Sequence, residues 1–97
     1  MYDQLSEFLR VSFHQDWKDD FPDERASVRH FVATMSRSRC VAVLAELDEL
    51  LAVDVSDKRL RGYITRDSGA NIVPPNGPDR WHTWLRTVRD HLADAVT

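Results

Sequence analysis

The sequence predicts an all-α protein, a single-domain bundle of four to six helices with one longer loop at about residues 65–78. Apolar residues recur at spacings of three and four along nearly the whole chain, which is typical of amphipathic helices. Helix-breaking residues concentrate in that one loop, as Asp67-Ser68-Gly69 and Pro74-Pro75-Asn76-Gly77-Pro78. Only the pair Ile72-Val73 has the character of extended chain, and two residues do not form a sheet. With 97 residues the chain is long enough for one modest core, so the domain is expected to span residues 1–97.

The first predicted element is an amphipathic helix from about residue 2 to residue 11. Its apolar face consists of Tyr2, Leu5, Phe8 and Leu9. A second turn or short helix is expected over residues 13–18. Phe13 and Trp17 stand four positions apart there, so their rings are predicted to meet on one face of a helical turn, where Phe8 can join them.

The third and fourth helices follow a proline and a short break. Pro22 is tolerated near a helix start, and Asp23 is a plausible cap for a helix with the apolar face Val28, Phe31, Val32 and Met35. Residues 36–39 are read as the break, with Ser38 capping a long helix that runs to about Val53. The face of that helix is Val41, Leu44, Leu47, Leu50 and Leu51, the strongest helical pattern in the chain.

Two more helices enclose the predicted loop. Ser56 opens a short helix with Leu60, Tyr63 and Ile64 facing inward, and Gly62 weakens its end. Asp79 is predicted to cap the last helix. The apolar face of the last helix is Trp81, Trp84, Leu85, Val88 and Leu92.

Acidic residues concentrate at the N-terminus although the net charge is only −3. Residues 1–24 carry seven acidic and two basic residues, a balance of −5, and the rest of the chain carries nine acidic and eleven basic residues. Such asymmetry favours a basic protein partner and disfavours nucleic acid. The candidate contact residues are therefore Asp16, Asp19, Asp20, Asp23 and Glu24. A competing acidic face consists of Glu46, Asp48 and Glu49.

Catalytic and metal chemistry are not favoured. Cys40 stands at a helix start, where the dipole is expected to lower its pKa, but no histidine is near in sequence, and a small core residue is the preferred interpretation. The histidines do not form the i, i+4 pair of a helical zinc site; they are His14, His30, His82 and His91. We therefore predict no enzyme activity, no metal and no cofactor.

Three further features restrict the class of protein. Arg80, Arg86 and Arg89 form a partial basic stripe, but acidic residues interrupt it, so nucleic-acid binding is only an alternative. No apolar run is long enough to span a bilayer, and the N-terminus lacks the pattern of a signal peptide. Together with the single cysteine, this favours a cytoplasmic protein.

The tryptophans have two interpretations. Trp81 and Trp84 are expected in the core. For Trp17 the core is preferred to an interface anchor, although tryptophan is enriched at interfaces.

The chain resembles the helical immunity proteins of bacterial contact-dependent growth inhibition systems. The resemblance rests on Phe13-His14-Gln15-Asp16-Trp17, the stretch from Ala45 to Ala52, and Trp84-Leu85-Arg86-Thr87-Val88-Arg89 near the end. It implies a cytoplasmic, non-enzymatic protein without cofactor that binds and neutralises the toxic C-terminal domain of a secreted effector, commonly a nuclease.

Within this resemblance Phe13, His14, Gln15 and Trp17 are interpreted as scaffold, while Asp16 stays among the candidate contacts. Phe13 and Trp17 are expected in the core, and the His14 imidazole is expected to bond a backbone carbonyl or a carboxylate. The molecule is expected to be a monomer or weak dimer that binds its cognate toxin domain. The alternative is a small helical regulatory or interaction module, with nucleic acid as one candidate ligand.

Overall fold

Six α-helices and one π-helical turn make up the regular structure of residues 2–97, which a computed structural model of the chain describes. The helices are α1 (Asp3–Ser12), α2 (Trp17–Asp20), α3 (Glu24–Thr34), α4 (Arg37–Ala52), α5 (Asp57–Gly62) and α6 (Arg80–Val96). The π-helical turn, Tyr63–Asp67, continues α5. No strand occurs among residues 2–97, so the all-α prediction is confirmed.

The last helix is the centre of the bundle. α6 packs against α3, α4 and α5, while α1 packs against α4 and α3. The predicted apolar face of α6 is buried along its length, including Trp81, Trp84 and Leu85. Each fully buried leucine of this kind contributes about 1.5–3 kcal/mol by leaving water. The same core receives Phe8 from α1 and Leu47 from α4.

An aromatic cluster joins the N-terminal segment to this core. The Phe13 ring lies 6.1 Å from Phe8, 5.2 Å from Trp17 and 5.1 Å from Trp84, each in an edge-to-face arrangement. The predicted meeting of Phe8, Phe13 and Trp17 is therefore confirmed. The expected single helical turn is wrong, because α1 ends at Ser12 with Phe13 as its C-cap, residues 14–16 are not helical, and Trp17 begins α2.

The start and register of α4 differ from the prediction. Ser36, not Ser38, caps the helix, since the Ser36 hydroxyl accepts the N–H of Arg39 at 3.2 Å. Val41 is 45 % exposed. The buried positions are Cys40, Val43, Leu47 and Leu50. Successive residues of an α-helix are rotated by about 100° around its axis. When Cys40 faces the core, Val41 therefore points towards solvent.

The loop does not begin at residue 65 as predicted, although α5 itself ends at Gly62. The chain continues into the π-helical turn, where the N–H of Ser68 donates to the carbonyl of Tyr63 at 2.9 Å and the N–H of Ala70 donates to Ile64 at 3.0 Å. The irregular segment is therefore residues 68–79, later than the expected 65–78. Ile64 is fully buried, and its packing compensates for the weak helix propensity of glycine.

Asp79 does not cap α6 with its side chain as predicted. Its backbone adopts a left-handed conformation with φ of 54°, and its side chain makes no capping bond. Asp57 of α5 takes that role instead. Its carboxylate accepts the backbone N–H of Trp81 at 3.1 Å and that of His82 at 3.0 Å.

Candidate functional site

The block Phe13-His14-Gln15-Asp16-Trp17 connects the bundle to the irregular segment. Phe13 and Trp17 are buried, whereas Gln15 is exposed. The indole N–H of Trp17 donates to the carbonyl of Asn71 at 2.6 Å, and the N–H of Asn71 donates to the carbonyl of Phe13 at 2.8 Å. These two bonds hold Asn71 against the start of α2. Phe13 and Trp17, the buried residues of the block, therefore fix the irregular segment beside α2.

His14 lies beside two of the acidic residues that follow it. Its Nδ1 accepts the backbone N–H of Asp16 at 3.1 Å, and its Nε2 lies 3.6 Å from a carboxylate oxygen of Asp20, beyond hydrogen-bonding distance. The imidazole was expected to bond a backbone carbonyl or a carboxylate, but its hydrogen-bond partner is a backbone N–H.

The acidic surface, defined as Asp16, Asp19, Asp20, Asp23 and Glu24, contains carboxylates in different situations. Asp23 accepts the N–H of Ala26 at 2.9 Å and caps α3, as predicted. Glu24 accepts the indole N–H of Trp84 at 3.1 Å. Asp16 and Asp19 are exposed, and no side-chain partner binds their carboxylates within residues 2–97. Asp16 and Asp19 are therefore the charges most available to a partner.

Two of the three carboxylates of the competing acidic face bind other groups of the protein. Glu46 accepts the N–H of Leu5 at 2.9 Å and so caps α1. Asp48 binds the guanidinium of Arg89 at 2.7 Å. Glu49 is exposed, and among the described residues its carboxylate has no bonding partner. A partner would therefore find one available carboxylate on this face.

Cys40 has the environment of a core residue. Its side chain is buried, and burial raises the pKa of the thiol although Arg37 and a backbone hydrogen bond act in the opposite direction. The expected lowering by the helix start is wrong, because desolvation dominates. A thiol that stays protonated at neutral pH is a poor nucleophile.

Asp57, Asp79 and His82 meet at the N-terminus of α6, with one ligand atom of each within 4.8 Å of the others. The His82 ring donates from Nδ1 to Asp57 at 2.9 Å. Partial burial opposes ionisation of Asp57, but hydrogen bonds from His82 and Trp81 outweigh it and lower the pKa of the carboxyl. The Asp57 oxygens already bind these donors at the positive end of a helix, an arrangement that stabilises α6 and does not favour a cation.

The three arginines of the basic stripe expected on α6 lie in different environments. Arg89 binds Asp48 and Asp90, and these bonds, led by the one from Asp48, raise its pKa. Arg80 is half-buried with its Nη2 3.5 Å from the carbonyl of Pro74. Arg86 is the exposed member of the three. One exposed guanidinium offers little phosphate neutralisation, so this stripe gives nucleic-acid binding no support.

A second charged surface was not predicted from the sequence. A groove of about 900 Å³ runs along α5 and the π-helical turn, and four of its lining residues are basic. We call it the basic groove; its basic residues are Lys58, Arg59, Arg61 and Arg66. A signal was present in the sequence, because residues 58–66 contain four basic residues and no acidic one.

No helix among residues 2–97 has the length and apolar character needed to cross a membrane. Searches found no matching curated protein and no matching solved structure. The family described as CdiI immunity protein matches residues 1–92. The chain therefore belongs to the CdiI immunity proteins of contact-dependent growth inhibition systems, and the predicted resemblance is confirmed.

Proposed function

We propose that this immunity protein acts in the cytoplasm by binding the toxic C-terminal domain of its cognate effector through the acidic surface and occluding a basic, nuclease-type active site. Inhibition is stoichiometric and needs neither catalysis nor a cofactor. Family membership supports a toxin as the partner. The placement of Asp16 and Asp19, both exposed and unpaired by other side chains of residues 2–97, supports this surface as the contact.

The acidic surface combines available charge with rigid support. Asp19 lies on α2, and Trp17 of the same helix is anchored in the core and bonded to Asn71. A fixed pattern of carboxylates matches a cleft that binds phosphates, and it loses little conformational entropy on binding. Opposite charge also accelerates encounter, which suits a protein that must capture a toxin before it acts.

The double variant Asp16→Lys/Asp19→Lys tests the proposal. It changes the net charge by +4 without removing the caps and buried bonds made by Asp23 and Glu24. We expect association with the toxin domain encoded beside its gene to slow at least about tenfold at low salt, with helical circular dichroism unchanged. The measurement is association kinetics over a series of salt concentrations.

The matched control is Glu49→Lys/Asp94→Lys, which changes the net charge equally at exposed positions of α4 and α6. If the control slows association as much as the first variant, the acidic surface is not the specific contact. If only the control slows it, the contact involves Glu49 or Asp94 and not the acidic surface. Failure of the unaltered protein to bind or neutralise the toxin domain would contradict the proposed function itself.

A further inference from the structure

The basic groove carries positive charge that the protein itself leaves unneutralised. The chain has more acidic than basic residues, yet Lys58, Arg59 and Arg61 form no ion pair within residues 2–97. All three are exposed. Arg66 has Asp67 3.4 Å away, but the Arg66 side chain is 83 % exposed. Surface ion pairs of this kind are weak, so the four cations remain available to a partner.

The π-helical turn contributes part of the groove lining, and such turns are unusual in proteins and frequent at functional sites. Gly62 lies beside Arg66, where an added Cβ would come within 3.2 Å of the guanidinium Nη2. Gly62 and the Arg66 guanidinium are therefore close neighbours in the lining, although most of the Arg66 side chain faces solvent.

The lining chemistry indicates what kind of anion fits. Apolar side chains lie among the cations, namely Leu50, Val55 and Leu60. One carboxylate, that of Asp67, also lines the groove, and it repels a continuous phosphate backbone. A short protein segment with one or two carboxylates between apolar side chains meets the cations and the apolar lining without lying against Asp67.

We propose that the basic groove binds an acidic segment of the toxin domain, so that the immunity protein contacts its partner through two surfaces of opposite charge. This inference rests on the proposed function and adds a second contact to it. Guanidinium groups suit such a segment because they bind carboxylates in two-point geometry. A partner must then present a basic and an acidic region at the correct separation, which gives discrimination between cognate and other toxins.

The double variant Arg59→Glu/Arg61→Glu tests this second contact. Its matched control is Arg29→Glu/Arg86→Glu, which makes the same change in net charge at exposed positions of α3 and α6 outside the groove. We expect the groove variant to bind the toxin domain at least about tenfold more weakly and the control to bind within about threefold of the unaltered protein. Circular dichroism verifies folding, and the milder Arg59→Gln/Arg61→Gln replaces the groove variant if folding is impaired.

Three results would overturn the inference. Equal affinity of the groove variant and the unaltered protein would exclude the groove from the interface. Equal weakening in the variant and the control would indicate a general charge effect. Retention of a labelled 12-nucleotide single-stranded RNA by the unaltered protein, lost in the groove variant while toxin affinity is unchanged, would assign the groove to nucleic acid. If the unaltered protein does not bind the toxin domain, the proposed function and this inference both fail; binding without a groove effect overturns only the inference.

Discussion

Trp17 is the residue on which the acidic surface depends. Its ring packs against Phe13, and its indole N–H donates to the carbonyl of Asn71 at 2.6 Å. The same Asn71 donates its N–H to Phe13. One tryptophan thus fixes both the start of α2 and the irregular segment of residues 68–79.

Replacing Trp17 by phenylalanine is therefore expected to loosen that segment. The change leaves an aromatic ring in the core but removes the donor to Asn71, at a cost of about 1–3 kcal/mol in the free energy of unfolding. Hydrogen exchange at the N–H of Asn71 should become faster. The measurement is urea denaturation combined with hydrogen exchange.

Trp84→Phe is the matched control because it makes the same chemical change in the same core. It removes the bond to Glu24, which lies on α3 and not in the loop. Stability should fall, while exchange at Asn71 should stay near that of the unaltered protein. Equal exchange at Asn71 in both variants would contradict the anchoring role of Trp17.

Residue identity alone does not distinguish a structural carboxylate from an available one. Asp16, Asp19 and Glu24 share a charge and lie close together in the sequence, so all three were predicted as contacts. In the structure, Glu24 binds an indole of α6, while Asp16 and Asp19 face solvent. The partner of Glu24 is 60 positions away in the chain, and a local pattern contains no information on such a contact.

Two helices are capped by carboxylates from other helices. Glu46 of α4 accepts an N–H of α1, and Asp57 of α5 accepts two N–H groups of α6. The residues at the two N-cap positions, Tyr2 and Asp79, make no side-chain capping bond. Each distant carboxylate thus stabilises a helix start and also fixes the packing of two helices.

Asp57→Ala is expected to lower the free energy of unfolding by about 1–3 kcal/mol, because it leaves the N–H groups of Trp81 and His82 without an acceptor. The measurement is thermal or urea denaturation at pH 7. Asp79→Gly is the control. Since Asp79 makes no cap and has φ of 54°, glycine there should leave stability unchanged or slightly raised. A larger loss from the Asp79 variant would contradict the structure of this cap.

The pH dependence of this effect has a defined sign. The pKa of Asp57 is lower in the folded protein than in the unfolded chain, where it is about 3.9. The contribution of Asp57 to the free energy of unfolding is therefore complete above the unfolded pKa and is lost as the pH falls through the folded pKa. The stability difference between the unaltered protein and Asp57→Ala should therefore narrow below about pH 4. A difference that stays constant between pH 7 and pH 3 would show that the charge of Asp57 is not involved.

The helices themselves were predictable because their apolar spacing is a local property. The errors occurred where long-range contacts decide the outcome. Val41 continues the leucine pattern of α4 but faces solvent, since the helix turns Cys40 and Val43 towards α1 and α6. The loop was expected from residue 65, but the π-helical turn that contains the buried Ile64 extends to Asp67.

At the scale of the whole molecule, the two charged surfaces differ in how visible they are in the sequence. The acidic N-terminal quarter shifts the charge balance of a long segment, so composition reveals it. The basic groove lies along α5 and the π-helical turn that continues it, and Arg66 lines the same groove as residues 58–61. The number of its basic residues can be counted in the sequence, but the concave form of the groove cannot be predicted from it.

One core joins the elements that carry these surfaces, and we therefore expect the chain to unfold in a single transition. Trp17, Trp81 and Trp84 all belong to that core, as do buried residues of α1, α3, α4 and α5. Tryptophan fluorescence and far-ultraviolet circular dichroism should consequently give the same urea midpoint, with a slope of about 1–3 kcal/mol per molar urea. Separate midpoints would show that the chain unfolds in more than one step and would contradict this expectation. A single transition means that both charged surfaces are held by the same packing and meet a partner in a fixed relation.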